Sequence, residues 1–307
     1  MDKRLLLTQP FVSWKKDSGG KGIVVHKIKP MQIGLLFWAE QEAEFFLRRL
    51  KSLDLNCGQL GVPPDLHCGT ALDDWITGLN KWQVHVTSAV CSYAGEDYSN
   101  LEAIHRTVGF TAEPLRAERI ARTKAVSEFA RGLGISALSC HIGFIPTNPK
   151  EALYEELSDL TKLLCDYCGS HNQDFVLETG QEPAEVLLAF IHHVDRQNLK
   201  VNFDPANMIM YASGDPLAAL DILSPHVLSV HCKDAHFPLA GGIGLLGEEC
   251  ALGDGEVNFP SFLQQLKEMD YQGALTIERE EPNVEKRITD INTGILQLKQ
   301  WKQDLGL

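Results

Sequence analysis

The sequence predicts an α/β protein built as a single (β/α)8 barrel of the TIM type, and three observations carry that expectation. Short apolar runs alternate with amphipathic helical stretches from residue 31 onward, the pattern of a parallel sheet wrapped by helices. Eight such units can be counted. At 307 residues the chain has the length of one barrel, and no low-complexity linker or shift in composition divides it. Hydrophobic residues at 44% and charged ones at 22% supply a core of ordinary size.

Taken in order, residues 1–30 hold seven Lys or Arg against two Asp and are expected to form a basic, poorly ordered extension, as termini commonly do. The barrel is expected over 31–307. Its first unit is IGLLFW (33–38) with the helical EAEFFLRRLKSL, and its second is NCGQL (56–60) with ALDDWITGLNKW. QVHVTSAV (83–90) leads into a helix around RAERIARTKAVSEFARGLG, and ALSCHIGF (137–144) into a helix from Pro149 to Cys168. Asn148-Pro149-Lys150-Glu151 reads as the start of that helix, with a capping side chain, a proline at the first position and a glutamate three residues on.

The last four strands are FVL-Glu178, VNF-Asp204, LSV-His231 and LTI-Glu278. Asp215-Pro216 opens the sixth helix as cap and proline, while Glu182-Pro183 and Asn258-Phe259-Pro260 are looser versions of the same signal. One connection is unusually long, from Asp234 to Val257, and carries Gly241, Gly242, Gly244, Gly247, Gly253 and Gly255. It is expected to be a flexible loop at the barrel mouth, a candidate substrate lid.

The net charge of -13 argues against nucleic acid or an anionic membrane as partner, since both select basic surfaces. No apolar stretch approaches a membrane span and no signal-peptide pattern is present. Eight cysteines lie scattered without framework spacing, which fits reduced thiols and a soluble, cytoplasmic protein. Cys165 and Cys168 form a C-x-x-C, but within an amphipathic run and without a second pair, so zinc or redox use is not indicated. A homo-oligomer is compatible with the sequence but carries no signal in it.

Each of the last four strands ends in a residue able to hold a metal, and strand ends converge on one mouth of a barrel. The intervals between Glu178, Asp204, His231 and Glu278 are 26, 27 and 47 residues, one ligand per strand–helix unit. Singly, an Asp or Glu there could cap the next helix, and a His could be a core residue. Four in succession favour a joint site. Three carboxylates and an imidazole make an oxygen-rich set suited to one divalent ion, Mn2+, Mg2+ or Co2+ ahead of Zn2+. Their mutual repulsion is itself an argument for a cation.

The motifs LETGQE (177–182), VNFDPANM (201–208), VHCKDAH (230–236), LGDGEVNF (252–259) and LTIERE (275–280) resemble those of the xylose isomerase-like barrels, which include sugar-phosphate isomerases, ketose 3-epimerases and endonuclease IV. The resemblance covers about residues 31–300 and is strongest from 137 onward. It implies one metal ion on Glu178, Asp204, His231 and Glu278, with Glu178 and Glu278 also moving a proton on opposite faces of a bound sugar. The implied function is a metal-dependent isomerase or epimerase of a small carbohydrate, working through a metal-stabilised enediolate. A dehydratase or lyase acting on a keto-sugar or inosose shares the first step and is the alternative. An endonuclease IV-type metal cluster fits poorly, because Asn207 stands where a histidine is wanted.

Further candidates surround the four. His141 matches a histidine common at that position in relatives and is expected in the pocket. Asn207 can orient a sugar hydroxyl but cannot carry a proton. Lys233 should point inward beside His231 and meet a substrate anion or oxyanion. Arg279, which parity turns outward, and Trp38, which could stack on a sugar face, complete the expected substrate contacts. No phosphate-binding loop appears.

Overall fold

The computed structural model describes residues 28–39, 42–239 and 245–307. The expectation for residues 1–27 lies outside the described residues, as do Gly241, Gly242 and Gly244 of the long connection. The barrel strands are β1 (Ile33–Trp38), β2 (Cys57–Val62), β3 (His85–Cys91), β4 (Ala137–Cys140), β5 (Asp174–Glu178), β6 (Leu199–Phe203), β7 (Val227–Cys232) and β10 (Leu275–Ile277). They pair in parallel around a closed ring, β1-β10-β7-β6-β5-β4-β3-β2. Between β7 and β10, the strands β8 (Asp234–His236) and β9 (Glu248–Cys250) form an antiparallel pair of their own.

The helices alternate with the strands. They are α1 (Ala43–Ser52), α2 (Cys68–Trp82), α3 (Leu101–Thr107), α4 (Arg116–Gly132), α5 (Ala152–Ser170), α6 (Ala184–Val194), α7 (Pro205–Met210), α8 (Pro216–Leu223), α9 (Phe259–Glu268) and α10 (Val284–Asp304). Among the described residues no helix is long and apolar enough to cross a membrane. Cys165 and Cys168 sit in α5 as buried free thiols.

Strand alternation divides each strand between two environments. Phe37 stacks on Trp75 of α2 and Phe203 on Phe262 of α9, so these positions face the helices, and the main core is the ring between sheet and helices. The alternate positions face the axis. Register pairs Gln59 with Ser88 and Glu178 with Asn202, and together with Ser139, His231 and Thr276 they make a buried interior that is polar rather than aliphatic. A purely apolar reading of the strands therefore misses half of what they carry.

Two expectations need correction. Helix α5 begins at Ala152, not Pro149, and its flanking residue Glu151 makes no capping bond. Asn148 instead closes a local turn, its Oδ1 accepting from the Lys150 amide at 3.1 Å; the same side chain that caps a helix also builds such turns. The connection from Asp234 to Val257 is also not a featureless loop. Its ends form the β8–β9 pair, and the Asp234 carboxylate accepts four backbone amides, from Ala235 at 3.0 Å, Gly253 at 2.9 Å, Gly255 at 3.1 Å and Val257 at 3.1 Å. Glycines read as flexibility serve close approach here: a Cβ at Gly255 would lie 2.2 Å from Asp234 Oδ1.

Candidate metal centre

Four neighbouring strands deliver one side chain each to the same point. Glu178 ends β5, Asp204 follows β6, His231 lies in β7 and Glu278 follows β10. Each offers one ligand atom, and these atoms all lie within 4.8 Å of one another, all buried. His231 Nδ1 is 3.3 Å from Glu178 Oε1, 3.5 Å from Asp204 Oδ2 and 2.9 Å from Glu278 Oε2.

The residues present fit a cation. Asp204 Oδ2 and Glu278 Oε2 are buried without a well-aligned donor, and buried carboxylate oxygens left that way are costly. Asp204 divides its carboxylate: Oδ1 caps α7 by accepting from the Asn207 amide at 3.0 Å, while Oδ2 faces the centre. Pro205 at the first helical position fixes that turn. Capping and ligation, alternatives in the sequence, are compatible in space.

Supporting contacts fix the ligands. Gln59 Oε1 accepts from His231 Nε2 at 2.8 Å, which leaves Nδ1 free to face the carboxylates. Gln59 Nε2 donates to Asn202 Oδ1 at 3.1 Å, and Ser229 Oγ donates to the same oxygen at 2.5 Å. Thr179 Oγ1 receives the Asp204 amide at 2.8 Å and donates to its carbonyl at 3.0 Å. These supports were not singled out in the sequence. Gln59 and Asn202 stand out only as lone amides in the otherwise small or apolar runs CGQLGV and VNF.

Charges follow from the crowding. Burial opposes the carboxylate of Glu178, but the imidazoles of His141 and His231 draw it below its ordinary value. Glu278 is held further down, against burial, by Lys233 and His231. Asp204 is pushed up by burial. Burial alone would strip the proton from His231, yet Glu278 and Glu178 hold it well above the usual imidazole range. The three carboxylates thus favour positive charge at this point, whether carried by the imidazole or by a cation.

The remaining candidates divide. His141 Nε2 stands 3.7 Å from Glu178 Oε1, and its Nδ1 has no partner. Asn207 Nδ2 donates to Glu178 Oε1 at 3.1 Å, so it orients a ligand before it could orient a substrate. Lys233 is buried, with Nζ 3.3 Å from Glu278 Oε2, 3.1 Å from Glu280 Oε2 and 4.0 Å from Asp204 Oδ2. Trp38 lies half-exposed at the end of β1, its ring against Gly61, where a Cβ would come within 2.6 Å. Arg279 is not brought to the group. Its guanidinium pairs with Glu249 at 3.0 Å, Glu281 at 3.3 Å and Asp290 at 2.9 Å, so outward parity hands it to β9 and α10.

Comparison with known proteins agrees with this architecture. A family model described as a xylose isomerase-like TIM barrel matches residues 70–302. The crystal structure of a xylose isomerase domain protein from Planctomyces limnophilus superposes with a TM-score of 0.84 at 34% identity, covering 90% of this chain and 99% of that one. D-allulose 3-epimerase from Methylomonas sp., solved with D-allulose, gives 0.63 at 16% identity, covering 90% and 99%. Among curated relatives, the rhizopine catabolism protein MocC of Rhizobium meliloti is 26% identical over 159 residues, 47% of each chain. The chain thus spans about half the length of the curated relatives it matches. The family match takes in six of the eight barrel strands and all four converging side chains, and this chain belongs to the xylose isomerase-like TIM barrel family.

Proposed function

We propose that this protein is a divalent-metal-dependent isomerase or epimerase that moves a proton beside the carbonyl of a small polyhydroxylated substrate. The observation that carries the reading is the convergence of Glu178, Asp204, His231 and Glu278 within 4.8 Å. A bound cation there would polarise a carbonyl and its neighbouring hydroxyl and so acidify the C–H between them. Glu178 and Glu278 come from the two ends of the ligand arc, since β6 and β7 lie between β5 and β10. Carboxylates so placed can serve opposite faces of a substrate, one removing a proton and the other returning one.

The two are not equivalent. Glu278 is held by Lys233 at 3.3 Å, which keeps it ionised and makes it the weaker base. Glu178 faces His141, which is part-exposed and 3.7 Å away, so a proton taken by Glu178 has a route toward solvent. Glu178 is accordingly assigned the abstraction, and Lys233 the stabilisation of developing negative charge on the substrate oxygen.

The test is elemental analysis of the purified protein followed by solvent-deuterium exchange into a panel of ketoses, keto-sugars and inososes. One divalent ion per chain and exchange at carbon next to the carbonyl are expected. Glu178→Gln and Glu278→Gln should each reduce exchange by about 10²–10⁴-fold, the range for a lost acid–base group. Exchange retained in either variant removes that glutamate from proton transfer. An unsaturated product formed by loss of water reassigns the reaction to a lyase.

A further inference from the structure

His231 can offer a cation only one nitrogen, and which one is settled by what its other nitrogen bonds to. Nε2 faces β2: it lies 2.8 Å from Oε1 of Gln59, a buried side chain that reaches across the barrel interior. Two strands, β1 and β10, separate β2 from β7 in the ring. Register sets Gly34 beside Thr276 and Thr276 beside His231, so those strands contribute a glycine and a threonine at this level and leave room for a long amide to cross.

The direction of that contact is the informative part. An amide can present either its oxygen or its NH2 group to the ring. Gln59 Nε2 donates to Asn202 Oδ1 at 3.1 Å and Ser229 Oγ donates to the same oxygen at 2.5 Å, so Asn202 receives two donors and turns the Gln59 oxygen toward His231. Reversing both amides would aim an NH2 group at Nε2 and require that nitrogen to be bare. The ring proton would then sit on Nδ1, the atom 2.9 Å from Glu278 Oε2, and exclude a cation from it. Asn202 itself does not decide the matter. Its Nδ2 is 3.1 Å from Nε2 and 3.4 Å from Nδ1, and an atom nearly equidistant from both ring nitrogens lies along neither lone pair.

We propose that Gln59 is a positioning residue for the metal centre: through the chain Ser229, Asn202, Gln59 the ring proton is held on Nε2 and Nδ1 of His231 is presented as the ligand. Gln59 acts through His231 and not on the cation or the substrate. Its oxygen stops the ring from turning over, which would swap Nδ1 for a carbon, and an acceptor at Nε2 makes Nδ1 a more basic ligand. This inference rests on the metal reading proposed above and adds to it a residue from a strand that carries none of the four converging side chains.

The experiment uses the full chain and two readouts other than turnover. Mn2+ affinity is measured by calorimetric titration of metal-free protein, and the His231 ring nitrogens are observed by NMR in 15N-histidine-labelled protein loaded with Mg2+, which is diamagnetic. In the parent, Nε2 should carry the proton. Gln59→Met, close to the native shape but without the amide, should weaken Mn2+ binding about 10–100-fold, the usual cost of losing an outer partner of a metal-bound histidine. Gln59→Glu restores an acceptor, and Asn202 can turn over to donate to it. This variant should bind Mn2+ at least about tenfold more tightly than Gln59→Met. Circular dichroism and melting curves show whether each variant folds. A folded Gln59→Met with parental affinity makes Gln59 a packing residue and overturns the proposal. Equal weakening in both variants overturns it as well, since shape and not the acceptor would then matter. If Gln59→Met does not fold, the parent spectrum decides: Nε2 without its proton in the Mg2+-loaded protein overturns the proposal. A parent that binds no divalent ion overturns the metal reading, and this inference with it.

Discussion

At the scale of single residues, Glu182 shows how a buried acid becomes a pH-dependent liability. Burial pushes its carboxyl up to about 8 from an ordinary 4.5, only partly offset by the backbone amides of Glu182 and Ile145, and its Oε2 has no partner. The folded protein binds that proton more tightly than the unfolded chain, so the stabilising contribution is complete below about 4.5 and is lost as pH rises toward about 8. Glu182→Gln, neutral at every pH, should match the parent near pH 4.5 and exceed it by on the order of a few kcal/mol at pH 8. Denaturant midpoints at the two pH values check this; an equal difference at both would show that the carboxyl does not titrate in this range. The convergence of the four side chains was legible because each follows an apolar run by one position. Gln59 was not, since its contact with His231 joins residues 172 positions apart, and nothing in a linear run marks which lone amide crosses a barrel axis. Arg279 shows the converse: parity gave its direction correctly, but its partners Glu249 and Asp290 belong to elements whose placement only the fold reveals.

Among the elements, the β8–β9 pair departs furthest from expectation. Six glycines between Asp234 and Val257 suggested a flexible connection, because composition reports freedom of the backbone and not the anchor that fixes residues 234–236 and 253–257. That anchor is one carboxylate with four amide donors, reinforced where Glu249 accepts the Glu280 amide at 3.1 Å. Asp234→Ala should therefore release a local region, costing about 1–3 kcal/mol for amides left unsatisfied where they stay buried. Hydrogen exchange should speed up at Gly253, Gly255 and Val257 while the amides of β5 and β6 stay protected. Uniform acceleration across the barrel would instead mean that the pair is part of one cooperative unit. The start of α5 was misplaced for a related reason: Asn148 has two local hydrogen-bonding options, and sequence alone does not say which one the neighbouring loop selects. Asp215 had the same options, and there the cap formed, its side chain accepting from the Ala218 amide at 2.9 Å.

Across the whole molecule, the alternation of strands and helices was legible throughout, because each strand buries one side against its helices whatever fills the axis. The polar interior was not, since Ser88, Ser139, Asn202 and Thr276 look like ordinary interruptions of apolar runs. The centre draws β5, β6, β7 and β10 together, so metal binding should act on global stability. A cation present at about 100 times its dissociation constant contributes about 2.7 kcal/mol. Chelation with EDTA should therefore lower the unfolding temperature by several degrees, and re-addition of Mn2+, Mg2+ or Co2+ should restore it, with the largest recovery marking the best-fitting ion. A melting curve indifferent to chelator would remove the cation from the folded state.

The position of Glu278 also has a bearing on biogenesis. It follows the last strand of the ring, which must seat beside β1 to close the sheet. A nascent chain that has already released β5, β6 and β7 from the ribosome holds three of the four converging side chains. A cation that needs all four donors would therefore be held only after β10 has been made and the circle has shut.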